Sequence, residues 1–216
     1  MKLAVFDCDG TLIDGQASIC QAMETAFGQF GLPLPARSEV RRAVGLSLPL
    51  AIARLLPGAP AARQLALVEA YKQAFRTARA AGELDQPLYE GTAALLGALR
   101  DAGWLLGVAT GMSRRGLDHC LAMHGLTGHF TTLQTADTHP SKPHPAMLEA
   151  ALGEAGAHAR DAVMVGDTAF DMAMALAAGV RAIGVDWGYH EARELLAAGA
   201  ETVARDRMQL GEYLLS

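Results

Sequence analysis

Asp7 and Asp9 stand two residues apart at the end of a short apolar run, Leu3-Ala4-Val5-Phe6, and Gly10-Thr11 follow at once. Residues two apart at strand spacing point to the same side, and a glycine lets the backbone turn, so both carboxylates can face one reacting atom. Alone, an Asp-x-Asp reads as a solvated turn; three further stretches change that. Thr110-Gly111-Met112-Ser113 offers a hydroxyl and a glycine amide at a helix start, and Ser141-Lys142-Pro143 a lysine just ahead of a helix. Gly166-Asp167-Thr168-Ala169-Phe170-Asp171 adds two more carboxylates. A carboxylate pair at ~4 Å costs roughly 4 kcal/mol at an effective dielectric of about 20, and one lysine does not offset several such pairs. Oxygen ligands suit a hard divalent ion, so Mg²⁺ is the expected cofactor. Thr110, the Gly111 amide and Lys142 would then cradle a phosphoryl group. The constellation implies phosphoryl transfer on a small phosphorylated metabolite.

The elements around these stretches alternate. Thr92–Ala102, Ser113–His124, Pro145–Ala155 and Thr168–Ala178 read as helices, with Gly103, Gly125 and Gly179 as stops. Trp104–Ala109, Phe130–Thr135, Ala162–Val165 and Val180–Val185 read as strands, and two more helices follow near 190–198 and 206–215. Continuous apolar strands separated by helices imply a doubly wound, mostly parallel α/β sheet. Ligands of such sheets bind beyond the carboxyl ends of the strands, where three of the four motifs directly follow a strand. Residues 16–86 break the rhythm with helices at Ala17–Phe30, Ser38–Val44, Ser47–Leu56 and Ala61–Ala81. The expected organisation is an α/β core of residues 1–15 and 87–216, with an all-helical domain, 16–86, inserted over the strand ends.

Composition narrows the class. The 216 residues are 51% apolar with a net charge of −5 and no basic block, which disfavours a nucleic-acid partner. Neither an export core nor a run of ~20 apolar residues is present, so no membrane partner is expected. Cys8, Cys20 and Cys120 have neither metal-ligand spacing nor disulfide density, and a reducing, cytoplasmic setting fits them. A monomer or homodimer is expected.

Asp7-Cys8-Asp9-Gly10-Thr11-Leu12, Thr110-Gly111, Lys142-Pro143 and Gly166 to Asp171 resemble, in order, the four motifs of the haloacid dehalogenase-like superfamily. The helical insert resembles the cap of its phosphoglycolate phosphatase-like branch. The resemblance implies that Asp7 is the nucleophile and that Asp9 exchanges protons with the leaving group and the attacking water. It implies that Asp7, Asp167 and the Asp9 carbonyl hold the metal and that Thr110, Gly111 and Lys142 bind phosphate. Asp171 would orient Lys142 or a metal-bound water. Asp9 argues against members that cleave carbon–halogen or phosphonate bonds, while a sugar-phosphate mutase keeps both aspartates. A phospho-accepting signalling module is the reading from another class; it lacks the Asp-x-Asp-Gly-Thr order and the helical insert.

Two positions depart from the family pattern: Met112-Ser113-Arg114 follows Gly111 where a polar residue and lysine are common, and Gly15 replaces a usual serine. Arg41, Arg42 and Arg114 are the candidates for binding a substrate carboxylate or second phosphate, against the alternative of a solvated face. His119, His124 and His129 recur every five residues, which does not stack them on one helix face.

Overall fold

The computed structural model describes residues 1–215. The strands β1 (Leu3–Phe6), β2 (Leu105–Thr110), β3 (Thr132–Thr135), β4 (Ala162–Gly166), β5 (Arg181–Val185) and β6 (Thr202–Ala204) form one parallel sheet, ordered β3-β2-β1-β4-β5-β6. β1 is innermost, with Leu3 opposite both Leu105 and Ala162. Its two faces are both covered, which is why its four residues are apolar without alternation. The chain adds β2 and β3 on one side of β1 and then returns to place β4 on the other. This reversal leaves a crevice at the carboxyl ends of β1 and β4. The Asp7 amide donates to the Val165 carbonyl (2.9 Å) and so fixes the first motif at that crevice.

Between β1 and β2 lie α1 (Gln16–Gln29), α2 (Arg37–Arg41), α3 (Leu48–Leu55) and α4 (Ala61–Ala81). They share an apolar cluster of their own, including Met23, Phe27, Ile52 and Leu67. α2 stops short of the expected Val44, and turns carry the chain to Gly45 at φ +94°. The two connections to the sheet run side by side: Asp14 N donates to Pro87 O (2.9 Å) and Tyr89 N to Leu12 O (3.0 Å). Ser18 Oγ donates to Asp85 O (3.0 Å) at the start of α1.

α5 (Thr92–Asp101), α6 (Arg114–Met123), α7 (Ala146–Ala155), α8 (Ala169–Ala177), α9 (Ala192–Ala197) and α10 (Arg207–Leu215) cover the sheet. Alternation along β1 sends Ala4 and Phe6 into a cluster with Leu96, Leu99 and Leu117, and Leu3 and Val5 into one with Met147, Leu148 and Met172. Gly103, Gly125 and Gly179 take positive φ at the ends of their helices, as their spacing predicts. β6 was not expected: three residues, Thr202-Val203-Ala204, are too few to show a period, and pairing with β5 is what makes them a strand. Among the described residues, no helix is long and apolar enough to cross a membrane.

Candidate active site

The first and last motifs meet over a buried lysine. Lys142 is fully buried, and its Nζ lies 2.8 Å from Asp7 Oδ1 and 2.6 Å from Asp171 Oδ1. Asp171 is fixed by the start of its own helix. Its Oδ2 accepts from Thr168 N (3.0 Å) and Thr168 Oγ1 (2.7 Å), a box that caps α8. Both Asp171 oxygens are thus occupied. Asp167 accepts at Oδ1 from Thr11 Oγ1 (2.8 Å) and at Oδ2 from Tyr189 N (2.9 Å), so the loops after β1 and β5 grip it from two sides.

Strand alternation does not bring Asp7 and Asp9 together, because β1 ends at Phe6. The turn does so instead. The Cys8 carbonyl accepts from the amides of Thr11 (3.3 Å), Leu12 (2.9 Å) and Ile13 (3.1 Å), and Gly10 takes φ +88°. A side chain at residue 10 would lie 2.2 Å from Asp167 Oδ2, so both the backbone angle and the space demand glycine. Gly15 has its own reason: a Cβ there would lie 2.3 Å from Asp9 Oδ1. A side chain at this position would displace the Asp9 carboxylate from where it stands.

Asp7, Asp9, Thr110 and Gly111 all line one cavity of about 580 Å³. Its roof comes from α1, α4 and the loop at residues 43–48, its floor from the sheet ends. A Cβ at Gly111 would lie 2.6 Å from the Leu46 carbonyl and 2.9 Å from that of Gly45, so the loop rests directly on the second motif. Ser47 N donates to Ser141 Oγ (2.8 Å) beside the lysine.

Burial dominates the electrostatics. It pushes Asp7 up to about 6, with Lys142 opposing and Asp171 adding. It pushes Asp9 up to about 7, reinforced by Asp7. Asp167 is also held well above the usual carboxylate range by burial, Asp7 and Asp171, against the Thr11 and Tyr189 hydrogen bonds. Burial works against charge on Lys142, but Asp171 and Asp7 outweigh it and hold the ammonium above the ordinary lysine range. Four buried carboxylates therefore face one buried ammonium, and the site is short of positive charge.

Comparison with known proteins shows the family of the chain. Residues 4–185 match the family described as haloacid dehalogenase-like hydrolase. The chain belongs to that family. It is 36% identical to a protein described as a probable phosphatase, IndB, of Dickeya dadantii (strain 3937), over 93% of this chain and 88% of that one. It is 33% identical to the phosphoglycolate phosphatase of Rhodospirillum rubrum, over 99% of this chain and 90% of that one. The crystal structure of a predicted phosphatase from Clostridium acetobutylicum superposes with a TM-score of 0.89 at 25% identity, covering 99% and 98% of the two chains. The protein is thus a haloacid dehalogenase-like hydrolase, a phosphatase of the phosphoglycolate phosphatase-like branch.

The hydrolase has a donor set that could hold a metal. Asp7, Asp167 and Asp171 each bring an oxygen within 4.8 Å of the others. Asp7 Oδ2 has no hydrogen-bond partner, and none of the loop's backbone bonds uses the Asp9 carbonyl. All donors are oxygens and the site lacks positive charge, which fits a hard divalent cation such as Mg²⁺. Asp171, with both oxygens engaged, suits a role as holder of Lys142 better than that of a ligand.

The three candidate specificity arginines of this hydrolase lie outside the cavity. Arg41 donates to the Gly188 carbonyl (3.4 Å) and lies over the Tyr189 ring, and Arg42 pairs with Glu194. Arg114 pairs with Asp118 one turn along α6 (2.8 Å). The cationic residues that do line the cavity are Lys72, Arg76, Arg79 and Arg115. Gln86 and the Trp187–Tyr189 loop also escaped the sequence reading, and Thr11, quoted there within the first motif, was given no role of its own. The signal for that loop was its place directly after a strand, as with the other motifs. Three histidines have local partners: His124 with the Gln86 carbonyl (2.8 Å), His139 with Gln134 (2.8 Å) and His144 with the Ala146 amide (3.2 Å).

Proposed function

We propose that this phosphatase is Mg²⁺-dependent and hydrolyses a small phosphomonoester through a phosphorylated Asp7, with phosphoglycolate the first compound to assay. The observation that carries the proposal is the state of Asp7: one oxygen is held by Lys142 while the other is unpartnered at the floor of the cavity. A carboxylate so held is presented as a nucleophile. Asp7 Oδ2 attacks phosphorus in line, the phosphorus–oxygen bond of the ester breaks, and Asp9 gives its proton to the leaving alkoxide. Asp9, pushed up to about 7, is the group equipped to hold that proton near neutrality. Water then attacks the phosphorus of the aspartyl-phosphate, Asp9 takes a proton from it, and Asp7 is released with inorganic phosphate. The Thr110 hydroxyl, the Gly111 amide and Lys142 bind the phosphoryl oxygens and offset their charge.

Asp7, Asp167 and the Asp9 carbonyl would hold Mg²⁺, which supplies charge neutralisation of the phosphoryl oxygens. Helices α1–α4 act as a cap that keeps bulk water from competing with Asp7 in the first displacement. Splitting one displacement into two depends on a nucleophile that is not water, which sets the test. Phosphate release from p-nitrophenyl phosphate and phosphoglycolate is measured with Mg²⁺, with EDTA, and in Asp7→Asn. Loss of release under both latter conditions is expected, with ³²P on the wild-type chain after acid quench. Activity that survives EDTA or Asp7→Asn overturns the mechanism, and transfer of phosphate within a sugar without release would make the protein a mutase.

A further inference from the structure

The cavity is larger and of different character than phosphoglycolate, a two-carbon acid phosphate, requires. About 580 Å³ lies within the ~300–1,000 Å³ typical of sites that enclose drug-sized ligands. Beyond the phosphate end its walls are mostly apolar, among them Ile19, Met23, Val44, Tyr71, Phe75 and Met112. The Tyr71 and Phe75 rings lie 5.4 Å apart and form a broad aromatic surface on α4.

Among the polar groups of the wall, Lys72 pairs with Glu69, Arg76 with Gln73 and Asp137 with the Arg114 amide, while Gln86 and Arg79 carry donors without acceptors. Gln86 is 4% exposed, and its Nε2 has no partner although its backbone carbonyl is engaged by His124. Arg79 is half-buried with Nε fully buried and likewise unpartnered. Buried donors without acceptors are uncommon and costly, and an arginine near a second arginine, Arg115, costs more. The placement along α4 gives a scale. Tyr71, Phe75 and Arg79 follow at helical i, i+4, i+8 spacing, so they share a face and span ~12 Å. Tyr71 is at the Asp9 end, close enough for that carboxylate's charge to raise its phenol further above its ordinary range. Arg79 is at the far end.

We propose that the natural ester carries an apolar, aromatic-sized organic group lying on Tyr71 and Phe75 and ending in a second anionic substituent, which Arg79, Gln86 and Arg115 bind. This rests on the phosphatase reading for the reaction and adds the class of leaving group. A carboxylate and a second phosphate share the required chemistry, and the assay separates them.

The test compares kcat/KM for phosphoglycolate, phenyl phosphate, para-carboxyethylphenyl phosphate and phenylene bisphosphate. One or both doubly anionic aryl esters should exceed phenyl phosphate by about tenfold or more, and phenyl phosphate should exceed phosphoglycolate by a similar factor. In Arg79→Gln the preference for the doubly anionic ester should fall by about tenfold, seen as a changed ratio between two esters in one preparation. Arg115→Gln, on an exposed side chain, repeats the measurement should Arg79→Gln fold poorly. Phosphoglycolate as best substrate, or equal losses on singly and doubly anionic esters, overturns the proposal. Titration calorimetry of the same esters into Asp7→Asn reads the subsite without turnover. If no ester is hydrolysed, the phosphatase mechanism falls, while preferential binding of the doubly anionic ester, lost in the Arg79→Gln double variant, upholds the subsite and its absence rejects it.

Discussion

Asp9 occupies a buried position with one oxygen unpartnered and is pushed up to about 7, so in metal-free protein its proton is bound more tightly folded than unfolded. The sign follows from linkage: between its unfolded value near 3.8 and about 7 the folded state holds more protons, so stability falls as pH rises through that window. Urea unfolding in EDTA should therefore show the protein less stable at pH 8 than at pH 5. Asp9→Asn should recover on the order of 2–4 kcal/mol at pH 8 while removing turnover. An unchanged pH profile in the variant would deny Asp9 this burden. Lys142 is the opposite case. Lys142→Met leaves Asp7 and Asp171 buried without their cation, and a loss of about 3–5 kcal/mol in unfolding free energy together with loss of activity is expected. These residues were legible because chemistry restricts their types and each neighbours a strand or a helix start. Arg79 and Gln86 were not, since an arginine on a helix or a glutamine in a connecting segment looks the same whether it faces water or a cavity.

At the scale of elements, the seam between the helical segment and the sheet is built on backbone contact. Gly111→Ala would set a methyl 2.6 Å from the Leu46 carbonyl. The loop must then lift off the second motif, pulling on Val44 and Leu48 where they pack against the helical cluster, so kcat/KM should drop at least tenfold while circular dichroism, which reads the helices and strands, changes little. By contrast the Arg42–Glu194 pair at the same seam is exposed, and Arg42→Ala should alter stability by less than about 1 kcal/mol in a melt. Most strands and helices were legible within a few residues because their apolar periods are strong and their ends carry glycine. The exceptions share a cause. β6 and the shortened α2 are three and five residues long, and elements that short are decided by their neighbours rather than by their own pattern. The cavity is a property of two segments facing each other, which no local period reports.

For the whole molecule, the helical segment and the sheet have separate apolar clusters, yet the exposed area of 9562 Å² is close to the ~9,500 Å² of one compact chain of this mass. The two parts are therefore seated on each other, with the acidic site between them. A divalent ion that binds only this folded arrangement should raise the melting temperature: at a hundred times its Kd, about 2.7 kcal/mol, or roughly 5–10 °C for a chain of this length. Calorimetric scans with Mg²⁺ against EDTA check this, and the increment should vanish in Asp7→Asn. The position of β1 at the sheet centre has a further consequence, for the order of biosynthesis. The strand that leads to Asp7 is made before both its neighbours, one about a hundred residues later and the other some sixty after that. The growing chain must therefore carry β1, four apolar residues, without its partners over much of the synthesis of this sequence, and the acidic site is assembled only once Asp167 and Asp171 have emerged.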